Sequence, residues 1–239
     1  MEQERLIEIA RNSNHIKAVL LDIDCPGGSV GGSEVLYARL ERLADVKPIV
    51  AFVRGLGASG GYFIGCSAQK IVTLPSALIG SIGVLYVRPG IQDLLNKLGI
   101  HFSVYKGGRF KDMTGFWRDP TEEEEGKLKG IVEEIHNSFI SSVAKARGID
   151  VDKVRELATG EVFTGRKALE LGLVDEIGDF ERALQLAAEL GKTQARPLWI
   201  RPKRRLFDRL TDRLGRNMAE GFAAVLQDRL EGKFYYRMP

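Results

Sequence analysis

Cysteine and histidine are scarce in this chain of 239 residues: Cys25 and Cys66 are its two cysteines, and His15, His101 and His136 its three histidines. Two thiols cannot supply a disulfide framework or a four-ligand zinc site, and the histidines stand at no metal-ligand spacing. Neither a metal nor a cofactor is expected. Long apolar runs are also missing. Pro48 to Val53 is typical of the longest ones, far short of the ~18 residues that cross a bilayer. No basic stretch followed by an apolar one opens the sequence, so a secretory leader is not expected either. A strong excess of one charge is lacking too. The net +3 is too small to argue for nucleic acid. The chain as given reads as a soluble globular protein.

The charge that is present is unevenly spread. Residues 201–239 hold ten basic and five acidic side chains, which gives this tail +5 and leaves −2 for the first 200 residues. With 44% hydrophobic and 28% charged residues, the chain can bury a sizeable core and is not generally disordered. The first 110 residues alternate between strand and helix patterns. Strands are expected at Ala18–Asp24, Ile49–Val53, Ile71–Leu74, Val84–Val87 and Phe102–Tyr105. Helices are expected near Ile7–Ala10, after an N-cap at Ser33, over Phe63–Ala68 and over Ile91–Leu98. Such alternation implies a mostly parallel sheet with helices on its faces.

Helices dominate afterwards. Thr121-Glu-Glu-Glu has the form of a capping box, opening a helix that should reach Arg147 and stop at Gly148. Shorter helices are expected from Asp150 to Ala158, Arg166 to Leu171 and Glu181 to Leu190. These patterns divide the chain into a body, 1–192, and a tail, 193–239. The tail pairs a linker with a basic amphipathic helix through Leu206, Leu210, Leu214, Met218, Phe222, Val225 and Leu230.

Two glycine-rich loops each follow an expected buried strand: Asp24-Cys-Pro-Gly-Gly-Ser-Val30 and Gly57-Ala-Ser-Gly-Gly-Tyr62. A serine on a sharp strand-to-helix turn exposes its hydroxyl, and backbone N–H groups beside it can hold an oxyanion. Gly27 and Gly28 can bring a second donor close, because no side chain intervenes. The same loops also serve as plain βα turns. A serine nucleophile needs a base, and no histidine has a carboxylate-oriented setting. A lysine made neutral by burial is the other option. Lys111, in Tyr105-Lys-Gly-Gly-Arg-Phe-Lys-Asp112, is the candidate, with Lys106 its neighbour and competitor.

Taken in order, Asp24-Cys-Pro-Gly-Gly-Ser-Val, Gly57-Ala-Ser-Gly-Gly-Tyr, Gly80-Ser-Ile-Gly-Val and Lys106-Gly-Gly-Arg-Phe-Lys-Asp resemble the SppA-type signal peptide peptidases. So do Gly160-Glu-Val-Phe-Thr-Gly-Arg-Lys-Ala, Gly172-Leu-Val-Asp-Glu-Ile-Gly178 and Phe234-Tyr-Tyr-Arg-Met. The resemblance implies an α/β, ClpP/crotonase-like fold, mostly parallel, with helices on its faces and a helical C-terminal part. It implies a serine endopeptidase with a Ser–Lys dyad acting on hydrophobic peptides such as released signal peptides. By motif position, Ser59 resembles the nucleophile and Lys111 the general base. Ser81 resembles the serine that orients the lysine, and Gly28 an oxyanion donor with Gly60 as its partner.

The resemblance further implies a homo-oligomer that encloses its sites and an association with the bacterial membrane. It implies strands and usually a membrane anchor ahead of the first glycine loop. One departure is Cys25, which stands where the family commonly has serine; nothing beside it acts as a base. Two alternatives have different chemistry: a catalytically silent scaffold that binds peptides or membrane, and a crotonase-type acyl-CoA enzyme. The tail's arginines, Arg204, Arg205, Arg209, Arg213 and Arg216, suit an anionic membrane surface. Asp208, Asp212 and Asp228 interrupt that basic face and favour a helix packed on protein instead.

Overall fold

The run Ile49-Val-Ala-Phe-Val53 is buried at every position, and this decides where the sheet has its centre. In a computed structural model, which describes residues 2–200, this run begins a ten-residue strand. The chain opens with α1 (Glu2–Asn12), β1 (Val19–Cys25), α2 (Val30–Ala44), β2 (Ile49–Ala58) and α3 (Gly60–Gly65). It continues through β3 (Lys70–Thr73), β4 (Leu78–Gly80), α4 (Gln92–Lys97) and α5 (Glu122–Arg147). The remaining elements are α6 (Val151–Leu157), β5 (Val162–Thr164), α7 (Gly165–Glu170), β6 (Glu176–Ile177) and α8 (Phe180–Leu190).

The sheet runs β5-β4-β2-β3-β6, with β1 also paired to β2. All pairings are parallel except β4 with β5. β2 is long enough to serve two neighbours in turn. Its first half, Val50–Val53, pairs with β3, and its second half, Leu56–Ala58, pairs with β4. The β1 register shifts between Ile23 and Cys25, so Cys25 lies opposite Gly57. A bulge of this kind re-aims the chain that follows it, here the Pro26–Ser29 loop.

Because side chains alternate along a strand, Val50 and Phe52 face one side, where they pack with Val72, Ala183 and Ala187. That leaves Ile49, Ala51 and Val53 for the opposite face. The short helix α3 packs against β1 and β2 and is itself contacted by α2 and α5. An aromatic row ties these three helices together: Tyr37 and Phe63 rings lie 4.5 Å apart, and Phe63 and Phe139 rings 5.2 Å apart. Each such aliphatic or aromatic side chain removed from water contributes roughly 1.5–3 kcal/mol.

The expected mostly parallel α/β body is present, and several boundaries differ from expectation. Ser29, not Ser33, is the N-cap of α2; its hydroxyl accepts from the Gly32 N–H at 3.3 Å. The glycines at 31 and 32 are helical after all, and Ser33 is buried inside the first turns. The segment from Leu56 to Ala58 is strand rather than loop, because β4 pairs with it. β4, β5 and β6 are too short, at three, three and two residues, for alternation to reveal them. Conversely, Val84–Val87 and Phe102–Tyr105 form no strand, as no neighbouring strand offers them a ladder. The capping box at Thr121 and Glu124 and the left-handed Gly148 stop (φ 63°) stand as expected. The expected tail helix from Leu206 to Leu230 lies outside the described residues.

Candidate active site

The end of β2 turns into α3 through one residue, Ser59. Its backbone adopts φ 51° and ψ −123°, a region that L-residues enter at a cost of about 1–3 kcal/mol. The conformation is held from below, where the Ser59 N–H donates to the Gly80 carbonyl at 2.8 Å. Three residues on, the Tyr62 hydroxyl donates to the Leu173 carbonyl at 2.8 Å from a fully buried position. Burial pushes the Tyr62 phenol well above its ordinary range, so the hydroxyl remains a donor. Nearby, Arg147 donates to the Gly172 carbonyl and pairs with Asp175 at 2.8 Å. Asp175 also accepts from the Ile71 N–H at 2.8 Å. That guanidinium and that amide hold the Asp175 carboxyl below its usual range despite its burial, which acts to raise it. The strained elbow is thus fixed by a polar network behind it.

The Cys25–Ser29 loop closes onto this elbow with no room to spare. Gly27 has φ 117°, and a Cβ there would lie 2.8 Å from the Ser59 Cβ and 3.1 Å from the Gly60 nitrogen. A Cβ on Gly60 would lie 2.3 Å from the Ser33 hydroxyl and 3.3 Å from the Gly28 nitrogen. Real Cβ atoms do not approach other atoms so closely, so these positions require glycine. Ser59, Gly60 and Gly28 are therefore neighbours, and they line one cavity of about 50 Å³. Its other walls are Val30, Ser33, Glu34, Phe63, Gly83, Val84, Ile135, Ser138 and Phe139. The lining is mainly apolar.

Ser81 follows β4 and also has a positive φ, 49°. Its N–H donates to the Glu161 carbonyl at 2.7 Å. Since Ser59 N–H bonds to Gly80, the peptide before Ser81, the two serines sit on adjacent strand ends. Four of the five expected site residues, Ser59, Ser81, Gly28 and Gly60, are thereby brought to one end of the sheet.

Lys111 stands apart. It lies in an irregular segment, is exposed to solvent, and is not among the residues lining the Ser59 cavity. Its neighbour Asp112 is 8% exposed and clamped by two cations, Lys106 and Arg118, the latter at 3.0 Å. Those two cations hold the Asp112 carboxyl far below its usual range. Arg118 also forks onto Glu124 at 2.5 and 2.8 Å. Glu124 accepts from the Thr121 N–H at 2.8 Å, and its carboxyl is lowered to about 2 by these partners. Lys106, the competing candidate, is thus held in an ion pair with Asp112. Sequence reasoning missed Glu34, Ile135, Ser138 and Phe139 as cavity residues; helix-face periodicity marks their face but not what it meets. It also read Ser33 as a cap rather than as the group packed under Gly60.

A strand-to-helix elbow bearing a serine, closed by a diglycine loop, defines a serine-hydrolase type of site. The profile of peptidase family S49 matches residues 41–194, more than half of the sequence, and the chain belongs to that family. It is 34% identical over 224 residues to a protein of Methanocaldococcus jannaschii, covering 92% of this chain and 72% of the other. It is 37% identical over 187 residues to Protease 4 of Salmonella typhi (78% and 30%). It is 33% identical over 190 residues to the chloroplastic serine protease SPPA of Arabidopsis thaliana (78% and 28%). The chain thus spans less than a third of the length of these last two relatives. A relative in Synechocystis, 40% identical over 173 residues, is spanned over 62% of its length. Among solved structures, a ClpP1 variant from Listeria monocytogenes superposes with a TM-score of 0.47 at 14% identity, over 76% of this chain and 88% of that one. Among the described residues no helix is long and apolar enough to cross a membrane.

Proposed function

We propose that the protein is a serine endopeptidase that hydrolyses hydrophobic peptides, including released signal peptides, with Ser59 as nucleophile and Lys111 as general base. The observation that carries the proposal is the positive φ of Ser59 at the mouth of a largely apolar cavity shared with Gly28 and Gly60. Backbone strain of this kind is retained where a hydroxyl must be presented. Membership of a peptidase family sets aside the acyl-CoA alternative.

In the proposed reaction the neutral Lys111 amine takes the proton of Ser59 as Oγ attacks a peptide carbonyl. The N–H groups of Gly28 and Gly60 hold the oxyanion. The lysine, oriented by Ser81, then returns the proton to the leaving amine, and water hydrolyses the ester. An amine in open solvent is a poor base at neutral pH, so Lys111 has to be covered before it can act. The segment around it supplies a reason for covering. Leu85, Val87 and Tyr105 are 81%, 77% and 97% exposed, and Tyr86, Leu98, Ile100 and Phe102 are exposed beside them. Apolar surface of this extent is buried by association. The proposal therefore includes a homo-oligomer whose assembly packs residues 84–105 and shelters the lysine. Packing of the basic tail on protein, with an anionic membrane surface as the alternative, belongs to the same reading.

A second reading has one observation in its favour. The exposure of Lys111 fits a chain that binds peptides without turnover, the silent scaffold. A fluorophosphonate probe separates the two when applied to the protein at concentrations where it self-associates. Labelling at Ser59 together with hydrolysis of an unfolded apolar substrate supports the peptidase. Binding of that substrate with neither labelling nor cleavage supports the scaffold.

A further inference from the structure

The walls of the Ser59 cavity are glycine, aliphatic, aromatic and hydroxyl groups with one exception. Glu34 is the ionisable side chain in the lining. It follows Ser33, the residue packed beneath Gly60, so α2 fixes its position relative to the nucleophile. Unlike Ser33, it is exposed, which puts its carboxylate at the rim rather than on the floor. Other carboxylates anchored in this body are spoken for: Asp112, Glu124 and Asp175 each hold cations. Among the described residues no cationic group pairs with Glu34. A lone carboxylate beside an apolar slot is a recognition element for a ligand that carries both characters.

We propose that Glu34 determines specificity by attracting a lysine or arginine of the peptide substrate, so that the preferred substrate combines a small apolar residue with a nearby cation. This rests on the peptidase reading above. An extended peptide points alternate side chains the same way. The residue that fills the cavity and the residue two positions along therefore face the same wall, and the second reaches the rim where Glu34 stands. A long basic side chain also lays its methylene stem over apolar surface while its charged end stays wet, which suits a slot bordered by Val30 and Val84 with a charge at its edge. A glutamate at the same peptide position meets like charge and is disfavoured.

The test uses three fluorogenic peptides, identical except for Lys, Gln or Glu two residues from a valine at the cleavage site. The wild-type protein is expected to favour the Lys peptide over the Glu peptide by about tenfold in kcat/KM at low salt, shrinking to about twofold at ~0.5 M salt as the rim charge is screened. Glu34→Gln should bring the ratio close to one, Glu34→Lys should invert it, and Glu34→Asp, which keeps the charge, should retain a preference. A Lys-to-Glu ratio unchanged in Glu34→Gln overturns the proposal. Absence of hydrolysis of all three peptides would defeat the peptidase reading instead. Anisotropy of the same labelled peptides bound to Ser59→Ala, with and without Glu34→Gln, then still decides the role of Glu34. A preference for the Lys peptide that vanishes with the carboxylate supports it, and one that persists overturns it.

Discussion

The end of β2 and the segment from Gly83 to Asp119 make opposite use of similar residues. Both contain glycines, aliphatics and a side chain expected to take part in chemistry. Around Ser59 the glycines let two loops touch, the strand leading to it is buried from Ile49 to Val53, and the serine is locked at a positive φ. In the segment that holds Lys111, Leu85, Val87 and Tyr105 face water, and regular structure is confined to the six residues of α4. The chain builds one half of the proposed dyad by itself and leaves the other half uncovered. What differs is the number of neighbours: β2 has partners on both sides, whereas residues 84–105 have no strand to pair with.

The largest effects should come from the two halves themselves. Ser59→Ala and Lys111→Ala should each lower kcat/KM by a factor of about 10³ or more, and the double variant should lose little beyond either single one. Equal additive losses would mean that the two side chains act separately. Next in size is the support behind the elbow. Arg147→Ala leaves the half-exposed Lys70, at 3.1 Å, as the remaining cation on the partly buried Asp175, with a cost on the order of 2 kcal/mol. Urea unfolding measures this directly, and a change below about 1 kcal/mol would show that Arg147 does not hold the end of α5 to the 172–175 segment.

Gly60→Ala is the sharper probe of the contact between loops. Its methyl would meet the Ser33 hydroxyl, a clash expected to cost about 1–3 kcal/mol. Ser33→Gly in the same chain should recover most of that loss. Failure of the second change to rescue would point to the Gly28 nitrogen, also close by, as the group displaced.

The smallest effect concerns the lysine segment and pH. The Glu124 carboxyl sits at about 2 in the folded chain, below the ~4.3 of a free glutamate, and Asp112 is lowered likewise. The folded state therefore holds these protons less tightly than the unfolded one. Their contribution is complete above pH ~4.3 and disappears as the pH falls toward 2. Trp117, next to Arg118, should report the loosening by fluorescence in a Trp199→Phe background. No spectral change between pH 5 and 2.5 would contradict the assigned clamp.

Much of the elbow was legible in the sequence because its signals are local. Gly-Ala-Ser-Gly-Gly after an apolar run specifies a strand, a sharp turn and a helix, and Asp-Cys-Pro-Gly-Gly specifies a tight loop. The capping box at Thr121 is local as well, and its helix is found where expected. The short strands β4, β5 and β6 were not legible, since two or three residues carry no period. Val84–Val87 and Phe102–Tyr105 have the composition of strands, yet composition cannot supply a ladder partner. For the same reason the position of Lys111 relative to Ser59 was beyond a reading of spacing. Glu34 belonged to a helix whose face was clear while its neighbour across the cavity was not.

In the proposed mechanism, covering the 84–105 segment turns an exposed Lys111 into the base for Ser59. The most direct measurement is the rate of fluorophosphonate labelling at Ser59 against pH, on size-separated monomer and oligomer of the wild type and of Lys111→Ala. Fast labelling that rises with pH is expected of the wild-type oligomer, with that rise lost in Lys111→Ala and slow labelling of the monomer. Labelling at the same rate in monomer, oligomer and Lys111→Ala would contradict that mechanism.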